Sequence, residues 1–164
     1  MRGNGSEHVT VYRRILLAVD LTPDSLFIGQ RGRALAATLD AELEMIHVVE
    51  PIPTVVPVAP DPIAPYIVTT QAELIGTARE HIGRLARELG VPETRWRVVV
   101  GNTKSEIVRA AADGGMDLIV IGSRERHGLA FLIKPTEDVV VHRAPCDVLA
   151  VHLAAAKGSK SRKK

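Results

Sequence analysis

The chain has 164 residues, enough for one domain that buries most of the surface its unfolded form would expose. Hydrophobic residues make up 46% and charged residues 24%, which excludes a disordered chain, and aromatics at 3% leave the core to Val, Ile, Leu and Ala. The formal net charge is only +2, and a single cysteine, Cys146, excludes an internal disulfide or a cysteine-based metal cluster and suits a reducing, cytoplasmic setting.

Residues 1–11 are polar and irregular, without the apolar run of a signal peptide, and are expected to be flexible. Ile15-Leu16-Leu17-Ala18-Val19 is wholly apolar and stops at Asp20, which predicts a central strand covered on both faces. Thr22-Pro23-Asp24 predicts a helix start, with a capping hydroxyl, proline at the first helical position and an acid in the first turn. Ile28, Gly32, Leu35 and Leu39 then turn one helical face inward. A second strand is predicted from Leu43 to Val49. Prolines at 51, 53, 57, 60, 62 and 65 break the stretch from Pro51 to Val68, so it cannot cross a membrane as a helix. It is expected to be a long loop, and its length favours a lid over a plain connection.

A second helix is predicted from about Thr70 to Leu89, with Ile75, Ala78, Ile82, Leu85 and Leu89 as its inward stripe and Gly90 as its stop. In the third strand, Arg95 to Val100, Arg95 and Arg97 alternate with Trp96 and Val98, as on a sheet edge. Thr103 and Glu106 predict a capping box for a third helix whose inward residues are Ile107, Val108 and Ala111, ended by Asp113-Gly114-Gly115. Leu118-Ile119-Val120-Ile121 predicts a second central strand that ends at Gly122. A loop to about Ile133, a helix from near Pro135 and a last strand from Asp147 to about Leu153 complete the domain, 12–153. Residues 154–164 hold the excess positive charge and are expected to be a disordered tail rather than a nucleic-acid arm. Strands and helices alternate throughout, which predicts an α/β fold with a doubly wound open parallel sheet and helices on both faces.

Ligands of such sheets bind beyond the carboxyl ends of the central strands, where strand order reverses. Those ends carry Asp20, an acceptor for a ribose hydroxyl or a base amine, and Gly122, whose lack of a Cβ admits a ligand close to the backbone. The segments Ile15-Leu16-Leu17-Ala18-Val19-Asp20, Asp117-Leu118-Ile119-Val120-Ile121-Gly122-Ser123-Arg124 and Ala144-Pro145-Cys146-Asp147-Val148-Leu149-Ala150-Val151 resemble the universal stress protein family, in the right order, over Tyr12 to Leu153. The resemblance implies a five-stranded sheet in the order 3-2-1-4-5 and a homodimer paired through its fifth strands. It also implies an AMP or ATP site, as in many members, or, as in others that bind no nucleotide, action under stress through interaction with partners.

Nucleotide-binding members share a phosphate loop of glycine, two residues, glycine, about nine residues, and glycine before Ser or Thr. Its glycines let backbone N–H groups close on phosphate, and the following helix aims its positive end there. This chain keeps Gly122, but has Glu125 at the second position and Pro135 at the third, before a retained Thr136. Pro135 has no N–H to offer, Glu125 adds a negative charge, and Glu137 and Asp138 already answer the helix dipole. Arg124, Arg126 and Lys134 could replace backbone contacts with cationic ones. A weakened phosphate end is therefore expected beside an intact adenosine end at Asp20, Gly122 and Val48.

Residue types alone also allow plainer roles. Asp20 reads as a turn former and Gly122 as a tight turn out of the strand. Ser123 and His127 lack the elbow and orienting acid of a nucleophile–base pair and are read as a surface loop. His47, His142 and His152 lack metal-ligand spacing and are read as packing or surface residues, and Cys146 as a small buried one. The expected function is a cytoplasmic, dimeric stress-response domain with an AMP/ATP site weakened at its phosphate end, neither enzyme nor membrane protein, and no nucleic-acid binder. The alternatives are a nucleotide-hydrolysing enzyme, which would need a metal-holding acid pair, and a ligand-free scaffold for a protein partner.

Overall fold

The computed structural model describes residues 12–51, 70–124 and 136–153. Among these residues ten elements follow one another: β1 (Arg14–Ala18), α1 (Ser25–Leu39), β2 (Glu42–Val49), α2 (Gln71–Leu89), a 3-10 turn (Glu93–Arg95), β3 (Trp96–Val100), α3 (Thr103–Gly114), β4 (Leu118–Arg124), α4 (Thr136–Arg143) and β5 (Asp147–Leu153). The five strands are parallel and lie in the order β3-β2-β1-β4-β5, as the resemblance implied.

Side-chain alternation along the central strands divides the core in two. Ile15 and Leu17 of β1, Met45 of β2 and Val120 of β4 point toward α1 and α2, where Ile28, Ala36, Ile82 and Ala86 meet them. Leu16, Ile46, Ile119 and Ile121 point to the other face, against Ile107, Ala110 and Ala111 of α3 and Val140 of α4. Each face therefore has its own pair of covering helices, which is why β1 and β4 carry no polar residue along their apolar runs. Gly29 permits a close approach of α1, since a Cβ there would stand 2.5 Å from Leu89 Cδ1.

Several local expectations are corrected. Thr22 does not cap α1; its hydroxyl donates to Asp20 Oδ1 at 2.7 Å, Pro23 lies in the preceding turn, and the helix begins at Ser25. Asp24 holds the N-cap position without a side-chain cap bond. The buried face of α1 is Ile28, Gly29, Gly32 and Ala36, with Leu35 and Leu39 only partly buried beside it. α3 is capped by Asn102, whose Oδ1 accepts from Ser105 N–H at 3.2 Å, and not by a Thr103–Glu106 box. Ala110 rather than Val108 joins its buried face. A capping box does open α2, at Thr70, with Glu73 as its reciprocal partner, a pairing not anticipated from the sequence.

The strand β4 runs past Ile121 to Arg124 because β5 continues beside it, pairing Gly122 with Val151 and Arg124 with Leu153. Gly122 is thus a strand residue and not a turn out of the strand. At the amino ends of the strands, Asp117 Oδ2 accepts the N–H groups of Arg13 and Arg14 at 2.8 and 2.9 Å, tying the start of β4 to that of β1. Those two donors favour the ionised form and hold the Asp117 carboxyl below its usual range.

Candidate functional site

The carboxyl ends of β1 and β4, the strands followed by α1 and α4 on opposite faces of the sheet, leave a cleft of about 410 Å³. That lies within the roughly 300–1,000 Å³ of small-molecule sites. Its walls are aliphatic, from Ile28, Ile46, Ile107, Ile121 and Leu153, and its polar groups come from Asp20, His47, Thr103 and Thr136. An apolar slot with a few polar groups at its rim suits a flat heterocycle carrying a polar substituent.

Of the residues anticipated from sequence, Asp20, Val48, Gly122 and Thr136 come together around this one cleft. Ser123 is half-buried in β4 next to Gly122, so it belongs to a strand and not to a surface loop. Arg124 ends β4. Glu125, Arg126, His127, Lys134 and Pro135, with the proline-rich stretch read as a lid, lie outside the described residues.

Asp20 is held from behind. Its Oδ1 accepts from Thr22 N–H at 3.1 Å, from the Thr22 hydroxyl at 2.7 Å and from the Ser25 hydroxyl at 2.9 Å. The turn-forming role of Asp20 is therefore real, and it fixes the carboxylate at the rim of the cleft. Gly122 packs closely, because a Cβ there would stand 2.5 Å from Ile28 Cδ1 and that side-chain end would have to shift.

Val48 contributes its backbone. The last ladder bond from β1 to β2 is Val19 N–H to the Ile46 carbonyl, 3.0 Å. Alternate residues of a strand face the same neighbour, so Val48 turns its own N–H and carbonyl to that side, where β1 has already ended. The cleft thereby gains a hydrogen-bond donor and an acceptor side by side.

Two polar residues of the cleft were missed in the sequence. The spacing of His47 in sequence suggests a packing or surface histidine, yet its half-buried ring lines the cleft, with Nδ1 2.8 Å from the Val19 carbonyl oxygen. The available signal was its place near the carboxyl end of β2, beside the strand that leads to Asp20. Thr103 opens α3 at the cleft and donates from its hydroxyl to Glu50 Oε1 at 2.9 Å. Glu50 thus already supplies a carboxylate to the amino end of α3. Among the described residues no group of His, Cys, Asp and Glu could hold a metal ion. No helix among them is long and apolar enough to cross a membrane.

The sequence matches the profile described as "Universal stress protein family" over residues 11–152. Universal stress protein A homolog 2 of Coxiella burnetii is 34% identical over 153 residues, 90% of this chain and 98% of that protein. Homolog 1 of the same organism is 33% identical over 140 residues, 85% and 96% of the two chains. A solved universal stress protein in complex with cAMP superposes with a TM-score of 0.63 at 22% identity, covering 87% of this chain and 99% of the other. One from Archaeoglobus fulgidus in complex with dAMP gives 0.54 at 16% identity, covering 86% and 98%.

Proposed function

The chain belongs to the universal stress protein family, and from that premise we propose that its cleft binds an adenine nucleotide by the adenosine end and that the protein acts as a dimeric regulatory domain, not as an enzyme. The observation that carries the nucleotide part is the paired donor and acceptor of Val48 at the mouth of an aliphatic slot. Adenine presents the complementary edge, a ring nitrogen that accepts beside an exocyclic amine that donates. Asp20, fixed at the rim, supplies a carboxylate for ribose hydroxyls. Two structural neighbours in complex with cAMP and dAMP support the same ligand class.

The phosphate end is weaker. Thr136 opens α4 at the cleft, but Glu125 and Pro135 replace the glycines of the family's phosphate loop. AMP should consequently bind at least as well as ATP. Dimerisation is supported by β5, a sheet edge on which Leu149 is 41% exposed, close in sequence to Val141 of α4 at 52%. Separate calorimetric titrations of AMP and ATP, followed by an assay for released phosphate, test the proposal. Binding of AMP without phosphate release supports it. Tighter binding of ATP than AMP would show that cationic residues replace the glycines, and steady phosphate release would make the protein an enzyme.

A further inference from the structure

If the ladder between β1 and β2 went on by one step, Val48 N–H would donate to the Val19 carbonyl. That bond is absent among the described residues, although Val19 N–H does bond the Ile46 carbonyl. The Val19 oxygen instead faces His47 Nδ1 at 2.8 Å. A carbonyl can only accept, so Nδ1 carries a proton in either charge state of the ring, and Nε2 is the other nitrogen.

We infer that His47 is a positioning residue for the nucleotide site: its imidazole takes the Val19 carbonyl and so keeps Val48 N–H open for a ligand. The sheet must split at this point for the cleft to exist, and a split leaves a carbonyl on one strand and an N–H on the other. Both are strong hydrogen-bonding groups that would close on each other if left alone. His47 satisfies the carbonyl from its own strand, one residue before the N–H it frees. The histidine thus prevents the two strands from zipping shut and need not touch the ligand itself. The inference rests on the adenine reading for the identity of the ligand, but the splitting of the strands can be measured without any ligand.

Three proteins decide it: the native chain, His47→Phe, which keeps a ring but loses the donor, and His47→Asn, whose side-chain N–H₂ lies close to where Nδ1 was. In the ligand-free native protein, nitrogen NMR should find the His47 proton on Nδ1, and Val48 N–H should exchange rapidly with solvent. In His47→Phe the Val48 amide should become protected by roughly tenfold or more, and AMP affinity should fall by about tenfold. In His47→Asn both should return toward native values, a rescue that general loss of packing would not produce. A protected Val48 amide or a bare Nδ1 in the native protein overturns the inference even if His47→Phe does not fold. Unchanged Val48 exchange in a folded His47→Phe overturns it as well, as does native AMP affinity despite a protected Val48. Failure of native protein to bind any adenine nucleotide refutes the ligand assignment alone, since Val48 exchange still reports on the split.

Discussion

Replacing Asp20 separates its part in the fold from its part in binding. Its Oδ1 serves three donors, of which two belong to exposed Thr22 groups that can turn to water. The third is the hydroxyl of Ser25, a residue only 3% exposed, whose donor would be stranded in Asp20→Ala. An unsatisfied buried donor costs about 1–3 kcal/mol, so Asp20→Ala should lose about 2 kcal/mol. Asp20→Asn keeps an acceptor oxygen and gives up only its charge, which should cost about 0.5–1 kcal/mol. Removing the stranded hydroxyl as well, in Asp20→Ala with Ser25→Ala, should return part of the loss, so the two changes should not add. Urea unfolding followed by the fluorescence of the single tryptophan, Trp96, which packs on α2 at Gly83, reads all of this at one fixed protein concentration. The better folded Asp20→Asn then serves for calorimetry, where AMP affinity should fall about tenfold. Native stability in Asp20→Ala, or strict additivity with Ser25→Ala, would refute the account of Asp20 as the anchor of this turn.

Asp117 should make stability depend on acid: its folded pKa is lowered, so its contribution is complete above about pH 4 and is lost as pH falls through the folded value. Asp117→Ala should cost about 1–2 kcal/mol at pH 7 by urea unfolding and remove that share of the acid sensitivity, and an unaltered acid profile would contradict it. Gly122→Ala must displace the end of Ile28, which forms part of the cleft wall, at about 1–2 kcal/mol and with weaker AMP binding by calorimetry; native values for both would show that Ile28 yields freely. Leu149→Lys places a charge on the exposed β5 edge and should shift light scattering from dimer to monomer at micromolar concentration. Glu125→Gly with Pro135→Gly should raise ATP affinity by on the order of a hundredfold, and a folded double variant without that gain would mean that something other than the missing glycines weakens phosphate binding.

The central strands were legible because an aliphatic run bounded by turn residues has few other uses, and β5 runs from Asp147 to Leu153 as its pattern predicts. The helix starts were less so. Several capping residues stand near each other at both sites, and the choice among them depended on neighbours: Asp20 claimed the Thr22 hydroxyl, and Asn102 reached Ser105 first. The far end of β4 was hidden, since Gly122, Ser123 and Arg124 carry no strand signal and are held by pairing with β5. Asp20, Val48, Gly122 and Thr136 could be gathered from the resemblance and the rule of the switch point. His47 could not. Its meaning depends on where the neighbouring strand stops, a fact that its own surroundings in sequence, Ile46 and Val48, do not contain.

The two edges of the sheet are not alike. Along β3 and the turn before it an ionic lattice reaches across three strands, with Arg95 on Glu42 at 2.8 Å, Arg97 on Glu44 at 3.5 Å and Arg14 on the same Glu44 at 2.9 Å. Such partly exposed pairs add little stability, but a strand arriving there from another molecule would have to dock beside a row of charged heads. β5 has Leu149 and Ala150 exposed in its middle and charge only at Asp147. A sheet sticky at both margins could grow molecule by molecule into an open filament. With one margin fenced, two copies joined at their open margins leave only fenced ones outward, and growth ends there.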